Sequence, residues 1–219
     1  KGELKRRGID VRLDLPGVAK NLQDHLHTRV RCEITQPFTF APLPDEMKAA
    51  ELGKYEAHRS GALGSNFVEA GAFVKSEPQE AYPALQLFFL MTLSPDYPEA
   101  GPSNRHGITF TSYISRPLSR GEVTLASADP LDRPMINFNY LSASDDVRCA
   151  VAGVRWNLRI LYAKPFNDIR GVEVAPGAKL RSDADIESFM RRTASTTWHP
   201  VGTCKMGIDE TAVVDPHLR

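Results

Sequence analysis

Arg29-Val-Arg-Cys-Glu-Ile34 alternates charged and apolar residues without a break. Side chains of a strand point in turn to its two faces, so Val30, Cys32 and Ile34 share one face and Arg29, Arg31 and Glu33 the other. The pattern predicts a half-buried strand. Outward from it, Leu85, Leu87, Phe89 and Met91 alternate in the same way, and residues 67–74 are apolar except at Glu69. Residues 108–114 and 122–125 are expected to pair as a hairpin around Ser119-Arg120-Gly121. Residues 38–44 and 94–107 read as loops, the second on its three prolines and two glycines.

Helical periodicity is clearest after Ser142 and Ser144, either of which can cap a helix. Asp145 and Asp146 fall in its first turn, where the helix dipole favours negative charge. Val147, Val151, Val154, Leu158 and Leu161 then recur on one face, and Lys164-Pro165 ends the run. A shorter helix starts at Ser182, with Asp185 completing a capping box and Ile186, Phe189 and Met190 as its apolar face. Residues 45–59 form a third, poorly amphipathic helix. Antiparallel strands with a few helices predict an α+β domain, an antiparallel sheet with helices packed on one face. The βαβ alternation and Gly-x-Gly-x-x-Gly turn of a nucleotide-binding domain are both missing from the sequence, so this chain is not expected to bind a dinucleotide by itself.

Composition narrows the partners. The 27 basic and 27 acidic residues cancel, which removes the electrostatic reason to expect nucleic acid or an anionic membrane. No apolar run approaches the ~18 residues that span a bilayer. Cys32, Cys149 and Cys204 are far apart and odd in number. They make neither a disulfide framework nor a zinc pattern, and they fit a reducing, cytoplasmic setting. Neither end carries the cap or polar fringe of a domain boundary, so the chain is expected to be a piece of a longer protein.

Histidines are the natural groups for acid–base work near neutral pH. His58, His106 and His217 read as solvated surface. His25 and His27 could chelate a metal, but no further ligand stands at a suitable spacing, and no metal is expected. His199 differs: Pro200 biases it away from helix, Gly202 permits a tight turn, and Trp198 stands beside it. Its imidazole is expected on a loop just after a helix, a position that suits a structural or a catalytic histidine alike. A hydrolase built on Cys204 and His199 lacks the elbow and activated nucleophile that such chemistry needs. Glu69, inside an apolar strand, is either paired and buried or an ordinary surface acid.

Three runs together resemble the glucose–methanol–choline (GMC) family of FAD-dependent oxidoreductases. They are Asp14-Leu-Pro-Gly-Val-Ala-Lys-Asn-Leu-Gln-Asp-His25, Ser115-Arg-Pro-Leu-Ser-Arg-Gly-Glu-Val-Thr-Leu125 continuing to Pro134, and Trp198-His-Pro-Val-Gly-Thr-Cys-Lys-Met-Gly207 continuing to Pro216. One departure is Ala19, where the family usually has a second glycine; it is expected to alter a local turn and not the function.

The resemblance implies an enzyme that oxidises the CH–OH group of a choline-like, aliphatic or aromatic alcohol to a carbonyl, with hydride passing to flavin N5. It places His199 over the flavin in proton transfer, with Trp198 beside it lining both cofactor and substrate. It assigns Glu69 to the substrate's quaternary ammonium, which the indole face of Trp198 can also attract. A second catalytic histidine or asparagine, and the FAD-binding domain, are expected outside this chain, which alone is expected to lack FAD and activity. Residues 1–26 are then a linker from that domain, 27–195 the substrate-binding domain, and 196–219 the catalytic-histidine loop and start of the return. The electron acceptor is left open. The rival reading is a small-molecule binding domain of the same fold without chemistry.

Overall fold

Val30 and Cys32, at the centre of the decisive stretch, have no solvent exposure at all. They lie on β2 (Leu26–Ile34), which pairs antiparallel with β5 (Gly107–Ile114) on one side and β8 (Arg170–Ala175) on the other. The computed structural model describes residues 2–37, 39, 45–94 and 105–219. β2 differs from the expected half-buried strand: Arg31 is also buried, its guanidinium donating to the Ser94 carbonyl at 3.1 Å. The charged end of this long side chain is thus met by a carbonyl and not by solvent. The main path of this sheet runs β3 (Val68–Val74), β4 (Leu85–Leu90), β5, β2, β8.

Residues group into two compact units. The second comprises residues 27–115 and 148–195 and contains the body of this sheet. Over it runs most of α3 (Ser144–Leu161), whose Val154 and Leu161 are fully buried and whose Gly153 stands against Ser112 of β5 and Leu85 of β4. Lys164–Phe166 then forms a short 3-10 turn with its proline at the start, as the ending of the helical periodicity required. α4 (Asp183–Thr193) has the expected reciprocal box: Ser182 Oγ accepts from Asp185 N–H, the Asp185 carboxylate accepts from Ser182 N–H, and Ile186, Phe189 and Met190 are buried. The α+β architecture with antiparallel sheet is as the pattern demanded. α2 (Asp45–His58) covers the third helix.

The first unit comprises residues 1–26, 116–147 and 196–219. Here one expectation fails. Residues 122–125 do not form a hairpin with 108–114; β6 (Gly121–Thr124) lies in a separate three-stranded sheet between β1 (Lys20–Leu22) and β7 (Met135–Asn137). The connecting run 115–120 has another partner. Leu118 and Ser119 donate their N–H groups to the buried carboxylate of Asp146 at 2.8 and 2.7 Å, and Ser119 Oγ accepts from Ser142 and Ala143 N–H. Asp146 therefore serves a distant loop as well as its own helix end, and that clamp outweighs local hairpin propensity. Gly17 packs so closely on the Thr211 carbonyl that a Cβ there would come within 1.9 Å of its oxygen, tying the first run to the end of the third. Ala19 adopts φ 62°, a left-handed conformation that glycine takes freely and alanine takes at about 1–2 kcal/mol.

Most of the expected loops at 94–107 and 38–44 lies outside the described residues; Gly107 opens β5. His106 is not plain surface: it is half-buried, with Nδ1 3.1 Å from the Thr39 hydroxyl. Among the described residues no helix is long and apolar enough to cross a membrane. All three cysteines are free, and burial pushes the Cys32 thiol up to about 11 while Cys204 is exposed. Because the thiolate is the reactive form, iodoacetamide at pH 8 should modify Cys204 and leave Cys32 intact until denaturant is added. Mass spectrometry of the labelled peptides checks this, and early labelling of Cys32 would contradict its burial.

Candidate functional site

The chain leaves α4 with an extended residue at Ala194 and enters β9 (Ser195–Thr196), which leads into the loop carrying His199. This loop lies along the Asn21–His25 segment and is bonded to it at almost every residue. Gln23 and Val201 exchange two backbone hydrogen bonds of 2.8 and 2.9 Å. Thr197 gives both its N–H and its hydroxyl to the His25 carbonyl, at 3.1 and 2.7 Å, and Asn21 donates its side-chain amide to the Gly202 carbonyl.

Asp24 lies at the centre. Its side chain is buried, and three donors meet its oxygens. Oδ1 accepts the His199 N–H at 2.9 Å, and Oδ2 accepts the Thr196 hydroxyl at 2.5 Å and the Tyr140 phenol. A buried carboxylate is tolerable only when its lone pairs are met in this way. Burial and the Asp24 carboxylate both push the Tyr140 phenol above the ordinary tyrosine range, so it stays a donor at any physiological pH. Tyr140 is held in turn by a parallel stack on Phe138, ring centroids 4.9 Å apart. Thr196 relays the clamp onward by accepting the Trp198 N–H at 2.8 Å.

That scaffold presents two exposed rings. Trp198 is two-thirds exposed on a backbone with φ 58°, and His199 beside it is exposed. The His199 imidazole meets His25, with the two Nδ1 atoms 3.4 Å apart and the rings edge to face. His199 is thus on a loop after a helix beside an aromatic residue, where its sequence context put it. Glu69 is exposed on β3 and accepts a hydrogen bond from the Ser65 hydroxyl. It belongs to the second unit, and Trp198 and His199 belong to the first. The rings of His25 and His27 have different neighbours: His25 meets His199, and the His27 ring lies edge-on to Tyr113. Among the described residues no group of three His, Cys, Asp or Glu could hold a metal ion.

Sequence singled out His25 only as half of a possible metal pair, and it singled out none of Asp24, Tyr140 and Thr196. Asp24 and His25 were visible as the end of the first run, and the signal that could have singled them out was an acid–imidazole pair in a stretch too polar to be core. Tyr140 and Thr196 carried no such signal.

Residues 117–219 match the model of the family described as GMC oxidoreductase. They belong to it. The likeness reaches across nearly the whole chain in individual relatives. An oxygen-dependent choline dehydrogenase of Brucella ovis is 38% identical over 99% of this chain, and an alcohol dehydrogenase (acceptor) of Pseudomonas putida is 40% identical over 99%. Each alignment spans 40% of the relative, so this chain corresponds to about two fifths of the length of those proteins. Among solved structures, a formate oxidase superposes with TM-score 0.84 and 25% identity over 100% of this chain and 43% of its own. A pyridoxine 4-oxidase of Mesorbium loti superposes with TM-score 0.78 at the same identity. The antiparallel α+β fold is therefore that of the corresponding region of GMC oxidases.

Proposed function

We propose that the protein containing this chain is an FAD-dependent oxidoreductase that oxidises the CH–OH group of an alcohol to a carbonyl, with this chain as its substrate-binding part and His199 in proton transfer. One observation carries the reading: an exposed imidazole on a loop whose backbone is held by a buried, triply hydrogen-bonded carboxylate. Such a group is rigid in its main chain and open at its ring, which is what a general base requires. The names of the Brucella and Pseudomonas relatives support an alcohol as donor.

The residues present fit part of a flavin site. Trp198 and His199 offer an aromatic face and an imidazole, the groups suited to contact an isoalloxazine. No glycine-rich phosphate turn occurs in this sequence to hold the rest of the cofactor. When bound, FAD supplies the hydride acceptor. His199 takes the hydroxyl proton on its exposed imidazole. The imidazolium then stabilises negative charge left on the substrate oxygen. We assign Glu69 and Trp198 to binding a cationic alcohol such as choline, on the attraction of carboxylate and indole for a quaternary ammonium. The free cysteines support a reducing, cytoplasmic compartment.

Anaerobic mixing of the full-length protein with choline, aliphatic and aromatic alcohols tests the assignment through bleaching of the flavin absorbance. Bleaching by at least one class of alcohol is expected. Glu69→Gln should raise KM for choline roughly tenfold, equivalent to about 1.4 kcal/mol, and leave neutral alcohols unchanged. Tight binding of an alcohol without bleaching would favour a binding module and overturn the enzyme reading.

A further inference from the structure

The imidazole contact between His25 and His199 carries an inference that the proposed proton transfer does not require. Both facing atoms are Nδ1, 3.4 Å apart. A neutral imidazole has one nitrogen that donates and one that accepts, so two facing Nδ1 atoms attract only if one bears hydrogen and the other a lone pair. Two arrangements satisfy this. In one, His25 donates, His199 accepts at Nδ1, and the proton of neutral His199 sits on Nε2, which then cannot act as a base. In the other, His199 donates from Nδ1 and keeps a free lone pair on Nε2.

The contact is built by the fold and is not a chance approach of two mobile side chains. The His25 carbonyl receives both donors of Thr197, Asp24 receives the His199 N–H, and Gln23 and Val201 close a two-way backbone pair on the far side. The main chains bearing both rings are thereby locked in register. His25 itself is only half-exposed.

We propose that His25 is a positioning residue: its Nδ1 accepts the Nδ1–H of His199, which fixes His199 in the tautomer whose Nε2 is the base. The inference rests on the reading of His199 as the group that takes the alcohol proton. In that step the substrate O–H bond breaks, the proton joins Nε2, and the Nδ1–H already shared with His25 stays in place. His199 becomes an imidazolium whose positive charge is met by the His25 lone pair, and His25 neither gains nor loses a proton. The Asp24 carboxylate and the Tyr140 phenol are the other ionisable groups of the clamp; both engage the loop's inner side, Asp24 at the backbone of His199.

The test uses the full-length protein in two independent measurements. Nitrogen NMR of histidine-labelled resting protein, with His199 assigned from the signals lost in His199→Gln, reports which ring nitrogen carries hydrogen. Hydrogen on Nδ1 is expected; hydrogen on Nε2 of neutral His199 overturns the proposal, whatever the protein does to alcohols. In the second, His25→Phe removes the acceptor and His25→Asn keeps one at nearly the same place. His25→Phe should lower kcat for anaerobic flavin reduction about 10–100-fold, part of what general-base assistance supplies, with KM and FAD content little changed. His25→Asn should recover most of the loss. Equal loss in both variants, or none in His25→Phe, would overturn the role of His25. Absence of flavin reduction by wild type with any alcohol would instead remove the underlying assignment, and the NMR result would still decide the tautomer.

Discussion

Replacing His199 with alanine in the full-length protein is expected to slow flavin reduction by alcohol about 10²–10⁴-fold, the range a positioned general base supplies. Hydride departs readily only as the alcohol oxygen becomes alkoxide-like, so loss of the base raises the barrier of the step without removing the cofactor. Alanine retains the backbone N–H that Asp24 accepts, so the loop should keep its path. FAD content, read from the visible spectrum of the purified variant, should accordingly match wild type. Rapid-mixing measurements under anaerobic conditions give the rate. Reduction at a near-normal rate would remove His199 from the chemistry, and loss of FAD would recast it as a cofactor anchor.

The second large effect is structural. Gly202 lies at φ 93°, a region side chains rarely adopt, and a Cβ there would fall 2.4 Å from the Asn21 carbonyl oxygen and 2.7 Å from the Gln23 amide nitrogen. The Asn21 carbonyl is backbone of the segment that pairs with the histidine loop and cannot retreat without disturbing that pairing, whereas the Gln23 side-chain amide can turn aside. Gly202→Ala should lower stability by about 2–4 kcal/mol, from strain of ~1–3 kcal/mol and overpacking of ~1–3 kcal/mol that overlap in part. Denaturant titration of wild type and variant measures it. The same variant should lose alcohol-dependent flavin reduction, because the loop bearing His199 must move. A shift under 0.5 kcal/mol would show that the loop accommodates the methyl and that its register is less constrained than the contacts indicate.

Local pattern was a sound guide wherever one element determined its own environment. The α4 capping box followed from Ser182 and Asp185 because both partners lie within one turn, and the buried faces of α3 and α4 followed from periodicity. It failed where a distant partner intervened. Arg31 looked solvent-facing by alternation, but it is buried with its guanidinium at the Ser94 carbonyl, 63 residues away. Residues 122–125 looked like the second arm of a hairpin, but Asp146 captures the turn and β1 captures the strand.

The candidate site divides in the same way. The sequence by itself determined the α+β class, the principal helices and the unusual setting of His199, since these depend on periodicity, proline and glycine within a few residues. Only the tertiary structure decided that Asp24 holds His199, that Tyr140 and Thr196 hold Asp24, and that His25 faces the imidazole. These partners stand 174 and 175 residues from His199 for His25 and Asp24. Hydrogen bonds act over about 3 Å of space and leave no periodic trace along the chain, so a network closed by folding becomes legible only once the distances are known.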